Sequence, residues 1–111
     1  VAYKKSKAKK IKLDGQTSNI YTTGEKTSRW YKISITSTKK KRILNLGKNT
    51  VSGGYKFTIY KNGKKKAIKT IKVTENANAK IAKMPKKKGT YYIRISKLTK
   101  KTNGTYEIGY Y

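Results

Sequence analysis

The chain has 111 residues, of which 30 are Lys or Arg and only 4 are Asp or Glu, giving a net charge of +26. It contains no histidine and no cysteine, which removes the commonest catalytic base, the thiol nucleophile, thiolate metal sites and any disulfide framework. Its length fits one domain with one modest core, and no apolar run is long enough to cross a membrane as a helix.

Composition pulls in two directions. Leu, Ile, Val and Phe total 20 of 111 residues, a level that with high net charge marks disordered chains. Ten tyrosines and repeated period-two alternation point instead to an ordered β domain. The basic residues are 27 Lys and 3 Arg. Lysine is a hydrated point charge, whereas bidentate recognition of bases or phosphates favours arginine, so diffuse attraction is expected over sequence readout. A lysine-favouring, A/T-rich genome is the plainer explanation. The first residues do not have the pattern expected of a signal peptide, and a first residue of Val1 is expected of a processed protein or a piece of a larger one.

Residues 1–10, Val-Ala-Tyr-Lys-Lys-Ser-Lys-Ala-Lys-Lys, form a basic arm, expected to be a frayed leader or else an arm for polyanions, ahead of a single β-sandwich domain over 11–111. Ile11 and Leu13 predict a short strand ended by an Asp14-Gly15 turn, and Ile20-Tyr21 another extended piece before Gly24. Arg29 to Thr36 is a clearer strand, with Tyr31, Ile33 and Ile35 facing in and Trp30, Lys32, Ser34 and Thr36 facing out. After the Lys39-Lys40-Lys41-Arg42 run, Leu44 and Leu46 mark the inward side of a strand beginning at Ile43. Gly47 and Gly53-Gly54 then bracket a connection.

Tyr55, Phe57 and Ile59 form the core side of the next strand, and Asn62-Gly63 follows it directly. That pair predicts a type I′ hairpin turn, because both central positions need positive φ. The return strand runs through Ile68, Ile71 and Val73, and its slipped alternation predicts a bulge or a bend. Ala79 to Met84 is a short strand ended by Pro85 and Lys86-Lys87-Lys88. Gly89 to Ile95 follows, with Tyr91, Ile93 and Ile95 on one side and Tyr92, Arg94 and Ser96 on the other. The stretch from Gly104 to Tyr111 answers it through Tyr106, Ile108 and Tyr110, and the two predict a C-terminal antiparallel hairpin. Seven or eight short strands without helical periodicity predict an all-β antiparallel sandwich.

Four of these stretches carry a resemblance. Trp30-Tyr31-Lys32-Ile33-Ser34-Ile35, Phe57-Thr58-Ile59-Tyr60-Lys61-Asn62-Gly63, Gly89-Thr90-Tyr91-Tyr92-Ile93-Arg94-Ile95 and Gly104-Thr105-Tyr106-Glu107-Ile108 resemble successive strand motifs of the bacterial pre-peptidase C-terminal domain family. The likeness extends over nearly the whole chain from Ile11 and implies a jelly-roll-like β-sandwich. It also implies a non-catalytic accessory domain of a secreted or cell-surface bacterial protein. The chain departs from the family where aspartates precede the aromatic strand, carrying Thr27, Ser28 and Arg29 there. Collagen-binding relatives hold calcium in an acidic cluster near the N-terminal strand. Val1–Lys10 contains no acid, so calcium binding does not carry over.

The carboxylates, Asp14, Glu25, Glu75 and Glu107, are spread singly along the chain. They offer neither a paired acid and base nor the ligand cluster of a hard cation; a turn role for Asp14 and relief of local lysine repulsion for the others are expected. No catalytic residue, cofactor or metal is assigned. What remains is the basic surface and its aromatics. Lysine runs fall at predicted turns: Lys39, Lys40 and Lys41 with Arg42; Lys64, Lys65 and Lys66; Lys86, Lys87 and Lys88; Lys100 and Lys101. Turns of a sandwich collect at its two ends, so several runs could meet in one positive rim, or they could simply guard exposed edges. A charge of +26 far exceeds what solubility asks, about 2–8 for a small domain. Trp30, Tyr60, Tyr92 and Tyr111 fall on the faces opposite the core, and with Arg94 could stack on sugars or bases.

The expected function is an extracellular accessory or adhesion module that binds an anionic polysaccharide, a teichoic acid or another cell-envelope polymer through clustered lysines. Other domains of a larger surface protein are possible neighbours. One alternative is a structural spacer held at an anionic envelope; another is non-specific nucleic-acid binding, which has no readout motif here. Convergence of the lysine runs separates the binder from the spacer.

Overall fold

The computed structural model describes every residue from Val1 to Tyr111. Alternating apolar residues build nine strands: β1 (Lys9–Lys10), β2 (Gln16–Tyr21), β3 (Arg29–Ile35), β4 (Ile43–Ser52), β5 (Tyr55–Lys61), β6 (Lys69–Val73), β7 (Ala79–Lys83), β8 (Gly89–Lys97) and β9 (Asn103–Tyr110). They form a five-stranded sheet, ordered β1-β3-β8-β5-β6, and a four-stranded sheet, ordered β2-β9-β4-β7. The two pack as a sandwich, with nine strands where seven or eight were expected. Only β1 and β3 pair in parallel.

The core shows how so few aliphatic residues suffice. Tyr31, Ile33, Ile35, Tyr55, Phe57, Ile59, Tyr91, Ile93 and Ile95 face inward from one sheet, and Leu44, Leu46, Tyr106, Ile108 and Tyr110 from the other. With Tyr21, six tyrosines belong to the core. Each buried hydroxyl needs a partner, and each has one. Tyr21 donates to the Thr27 carbonyl at 2.7 Å, Tyr91 to that of Lys87 at 2.8 Å and Tyr110 to that of Ser34 at 2.9 Å. Tyr55 donates to the Gly104 carbonyl, and the Tyr31 and Tyr106 hydroxyls share a bond of 2.6 Å.

Several expectations are corrected. β8 and β9 do not form a hairpin: β8 lies between β3 and β5, β9 between β2 and β4. The Leu98–Thr102 connection carries the chain from one sheet to the facing one, anchored where the Leu98 amide and Thr102 hydroxyl both donate to the Gly54 carbonyl at 3.0 Å. Two strands with inward apolar faces look alike whether they are neighbours or face one another. The Asn62-Gly63 turn is not type I′, since only Gly63 has positive φ (+81°). Pairing of β5 with β6 stops at Ile59 and Lys69, so the connection is long and escapes the twist that selects I′ in a two-residue hairpin.

Ile68 lies in a bend before β6, which explains the slipped alternation without a bulge. β4 continues through Gly47 to Ser52, with a register shift near its end. Leu13 is exposed while Ile11 is buried. The basic arm is not a frayed leader. Its first residues lie against β3, where the Trp30 amide donates to the Ala2 carbonyl at 2.9 Å and Ala2 is buried. Asp14 occupies the expected turn, with φ of +64°.

Candidate functional site

The connections β3–β4, β5–β6 and β7–β8 leave the sandwich at the same end, because β3 and β5 finish where β8 begins. Three of the four lysine runs therefore meet. Lys41, Lys61, Lys64, Lys69, Lys83 and Lys87 line one open groove of about 580 Å3, floored by Ile68, Met84, Pro85 and Tyr91. Alternation supplies part of this set, with Lys61 closing β5, Lys69 opening β6 and Lys83 closing β7. The groove spans both sheets: the Lys69 ammonium donates to the Lys83 carbonyl, and the Tyr91 hydroxyl reaches the Lys87 carbonyl. Burial pushes the Tyr91 phenol above its ordinary range, keeping it a neutral donor. No carboxylate lines the groove.

Lys39, Lys40, Lys65, Lys66, Lys86 and Lys88 stand exposed on the same connections and extend the field around the groove. Arg42 is half-buried, its carbonyl accepting from the Met84 amide. Lys100 and Lys101 are not part of this assembly. They lie at the other end of β8, beside Lys26, Lys97 and Glu25.

The outward aromatics divide between the two sheets. Trp30, Tyr60 and Tyr92 are half-buried on the outer face of the five-stranded sheet, where register pairs Tyr60 with Tyr92 and Trp30 with Arg94. The Trp30 and Tyr60 ring centroids are 5.7 Å apart. Cations already cover these rings: Arg94 lies 5.7 Å from the Trp30 centroid, and Lys5 of the N-terminal arm lies 4.9 Å from Tyr92 and 5.5 Å from Tyr60. This platform adjoins the groove through the Tyr60-Lys61 and Tyr91-Tyr92 pairs. Tyr111 lies apart, against the four-stranded sheet.

One constellation escaped the sequence reading. Arg29 is buried at the inward end of β3, its guanidinium 3.8 Å from the Tyr21 ring centroid. Its Nη1 donates to the Ile20 carbonyl and its Nη2 to Glu25 Oε2, both at 2.7 Å. Strand parity could have found it, since Arg29 shares the face of Tyr31 and Ile33, and Glu25 precedes it by four. The Thr22 hydroxyl, donating to Oε1 at 2.8 Å, and then the guanidinium hold the Glu25 carboxyl below its ordinary range. Burial raises the Tyr21 and Tyr106 phenols strongly and pushes Tyr55 up to about 12. The acids thus have separate tasks: Glu25 neutralises the buried cation, and Glu75 accepts from the Gly53 amide at 3.0 Å. Simple relief of lysine repulsion does not describe them.

No protein-family model and no curated protein sequence matches the chain. Solved structures do. The pre-peptidase C-terminal domain of collagenase from Bacillus anthracis superposes with a TM-score of 0.75 at 19% identity, covering 95% of each chain. PliG from Aeromonas hydrophila, a periplasmic inhibitor of g-type lysozyme, gives 0.57 at 11% identity over 95% of this chain and 98% of its own. CorA of Methylomicrobium album BG8, a surface-associated copper-binding protein, gives 0.60 at 9% identity over 94% and 98%. In fold, then, the chain is a β-sandwich similar to a pre-peptidase C-terminal domain, as the motifs of β3, β5, β8 and β9 imply.

Proposed function

We propose that the chain is a non-catalytic extracellular accessory or adhesion module that holds anionic polymers, such as acidic or sulfated glycans or teichoic acids, in the lysine groove. One observation carries this: six lysines from both sheets line a single groove that contains no carboxylate. Like charges held together destabilise the fold by repulsion, and a polyanion relieves it. The neighbours in fold include a collagenase accessory domain, a periplasmic inhibitor and a surface-associated protein, which supports an extracellular setting. Convergence favours a binder over a spacer, whose lysines would be spread evenly.

Binding here is release of condensed counterions. Six contacts at a slope of roughly −0.9 each lose about 10³-fold in affinity between about 50 and 200 mM salt. Titrating heparin, lipoteichoic acid and duplex DNA across a salt series tests this. Replacing Lys61, Lys64 and Lys87 with serine should flatten the slope by about three units, while replacing Lys100 and Lys101 should change it by less than about one. Equal flattening by both variants would mean an even coat of charge and would return the spacer. Strong preference for DNA over the other two at matched charge density would favour nucleic acid.

A further inference from the structure

The outer face of the four-stranded sheet differs from the rest of the surface. Across β2, β9, β4 and β7 the register sets three rows there: Gln16, Gly109, Asn45 and Ile81; then Ser18, Glu107, Gly47 and Ala79; then Ile20, Thr105 and Asn49. None of these positions is basic, although the chain's overall density would place about three Lys or Arg among them; the next row, Ile43 and Lys83 beside Tyr111, brings one lysine to the margin of the face. Lys48 and Lys80 alternate to the other side of their strands, and the Lys48 ammonium is held by the Glu75 carbonyl at 2.9 Å. Glu107 stands exposed without an ion-pair partner, in a chain saturated with cations.

The middle of this face is a hollow of about 320 Å3, lined by Ser18, Asn45, Asn49, Asn78, Thr105 and Glu107, with Gly47 and Ala79 among them and Lys48 also at its wall, its ammonium drawn away to the Glu75 carbonyl. At its margin the Tyr111 ring lies over Gly109, so closely that a Cβ there would come within 2.7 Å of Tyr111 Cε2. From the side chains of the three rows comes one intramolecular hydrogen bond, Thr105 Oγ1 donating to the Asn49 carbonyl. The other amides, the Ser18 hydroxyl and the Glu107 carboxylate therefore keep their donors and acceptors free.

Planar amides, hydroxyls and one carboxylate present paired donors and acceptors close to zero net charge, and tyrosine adds an apolar ring face. That set matches the vicinal hydroxyls and C–H face of a pyranose. It matches a protein partner less well. Ile20 and Ile81 stand at opposite corners, whereas a protein interface concentrates its apolar side chains at the centre. The absence of lysine from the three rows also has a physical role, since long mobile side chains there would lose their rotamers on binding.

We propose that this face binds a neutral oligosaccharide, one ring against Tyr111 and its hydroxyls bonded by Asn45, Ser18, Thr105 and Glu107. The proposal does not rest on the lysine groove, which meets this face only at the margin held by Lys83. The test is an amide-resolved NMR titration with neutral hexasaccharides (maltohexaose, cellohexaose, xylohexaose and chitohexaose) at millimolar concentration. At least one should give saturable shifts confined to residues 16–20, 45–49 and 105–111, unchanged between low and high salt. Tyr111→Ala should weaken that binding about tenfold, on the scale of lost ring stacking. Gly47→Ala should weaken it while leaving the fold intact, because a Cβ at Gly47 meets only ordinary contacts, the nearest 3.6 Å away. The serine variant of Lys61, Lys64 and Lys87 should bind as the parent does. Silence toward all four sugars overturns the proposal, as do shifts confined to the Trp30 face. Concentration-dependent shifts in the same residues without sugar would identify a second copy as the occupant and would also overturn it.

Discussion

Removing either partner of the Arg29–Glu25 pair should destabilise the domain, but unequally. The Arg29 side chain is 4% exposed and that of Glu25 is 38% exposed. In Arg29→Met the carboxylate left behind can turn into water. The variant loses two short charge-assisted hydrogen bonds, each worth about 1.5–3 kcal/mol, and a long one of 3.5 Å to the Tyr106 hydroxyl, but recovers several kcal/mol of guanidinium desolvation, and methionine keeps the stem packing. A net loss of about 1–2 kcal/mol is expected. In Glu25→Gln the guanidinium stays buried against Tyr21 without a counter-charge, and its Nε already has no partner. Breaking a buried pair in this direction costs about 3–5 kcal/mol, and the retained amide oxygen puts the expected loss near the lower limit. The double variant should resemble Arg29→Met. Urea unfolding at neutral pH, followed by circular dichroism, measures all three. The reasoning fails if Arg29→Met costs as much as Glu25→Gln or more.

Further outcomes follow from the same geometry. Gly54→Ala should destabilise by about 3 kcal/mol or more through overpacking, because its Cβ would sit 2.2 Å from the Val73 carbonyl oxygen. Gly63→Ala should cost only about 1 kcal/mol, from positive φ alone, since its Cβ would meet nothing; comparable melting midpoints for the two would refute the distinction. In acid, Glu25 is depressed in the folded state, so its contribution is complete above the ordinary glutamate range and lost as pH falls through the folded value. Glu25→Gln should therefore flatten the stability profile below about pH 4.5. In alkali the sign reverses, because burial favours the neutral phenol. Tyr55, pushed up to about 12, contributes fully below about pH 10, and about 2–3 kcal/mol is lost as pH rises from 10 to 12. Phenolate absorbance should then show a late cooperative step as the buried tyrosines ionise on unfolding, and smooth titration near pH 10 for all ten would contradict the core described here.

Much of the fold was legible from period-two alternation, which places Tyr31, Ile33, Phe57, Ile59, Ile93 and Ile108 inward as observed. What alternation cannot encode is partnership. β8 and β9 both carry an inward apolar face, and nothing local says whether such strands share a sheet or face one another. Asn62-Gly63 marked a turn correctly, but turn type depends on where pairing stops, which lies several residues away. The lysine groove was half legible. The runs at connections were plain, while Lys61, Lys69 and Lys83 joined them only through the stagger of strand ends. The neutral face escaped notice altogether, because a patch defined by missing lysines emerges only when four strands lie side by side.

The six tyrosine hydroxyls of the core have a consequence for folding fidelity. An aliphatic core tolerates sliding, since one methyl contact replaces another with little penalty. Here four core tyrosines reach the main-chain oxygens of Thr27, Lys87, Ser34 and Gly104, and two others bond to each other across the sandwich. Shifting a strand by two residues would keep its greasy side inward yet strand a buried hydroxyl without an acceptor, at about 1–3 kcal/mol for each. Mis-threaded competitors are thereby raised in energy one peg at a time, so a chain poor in leucine and rich in mutually repelling charge still specifies a single arrangement.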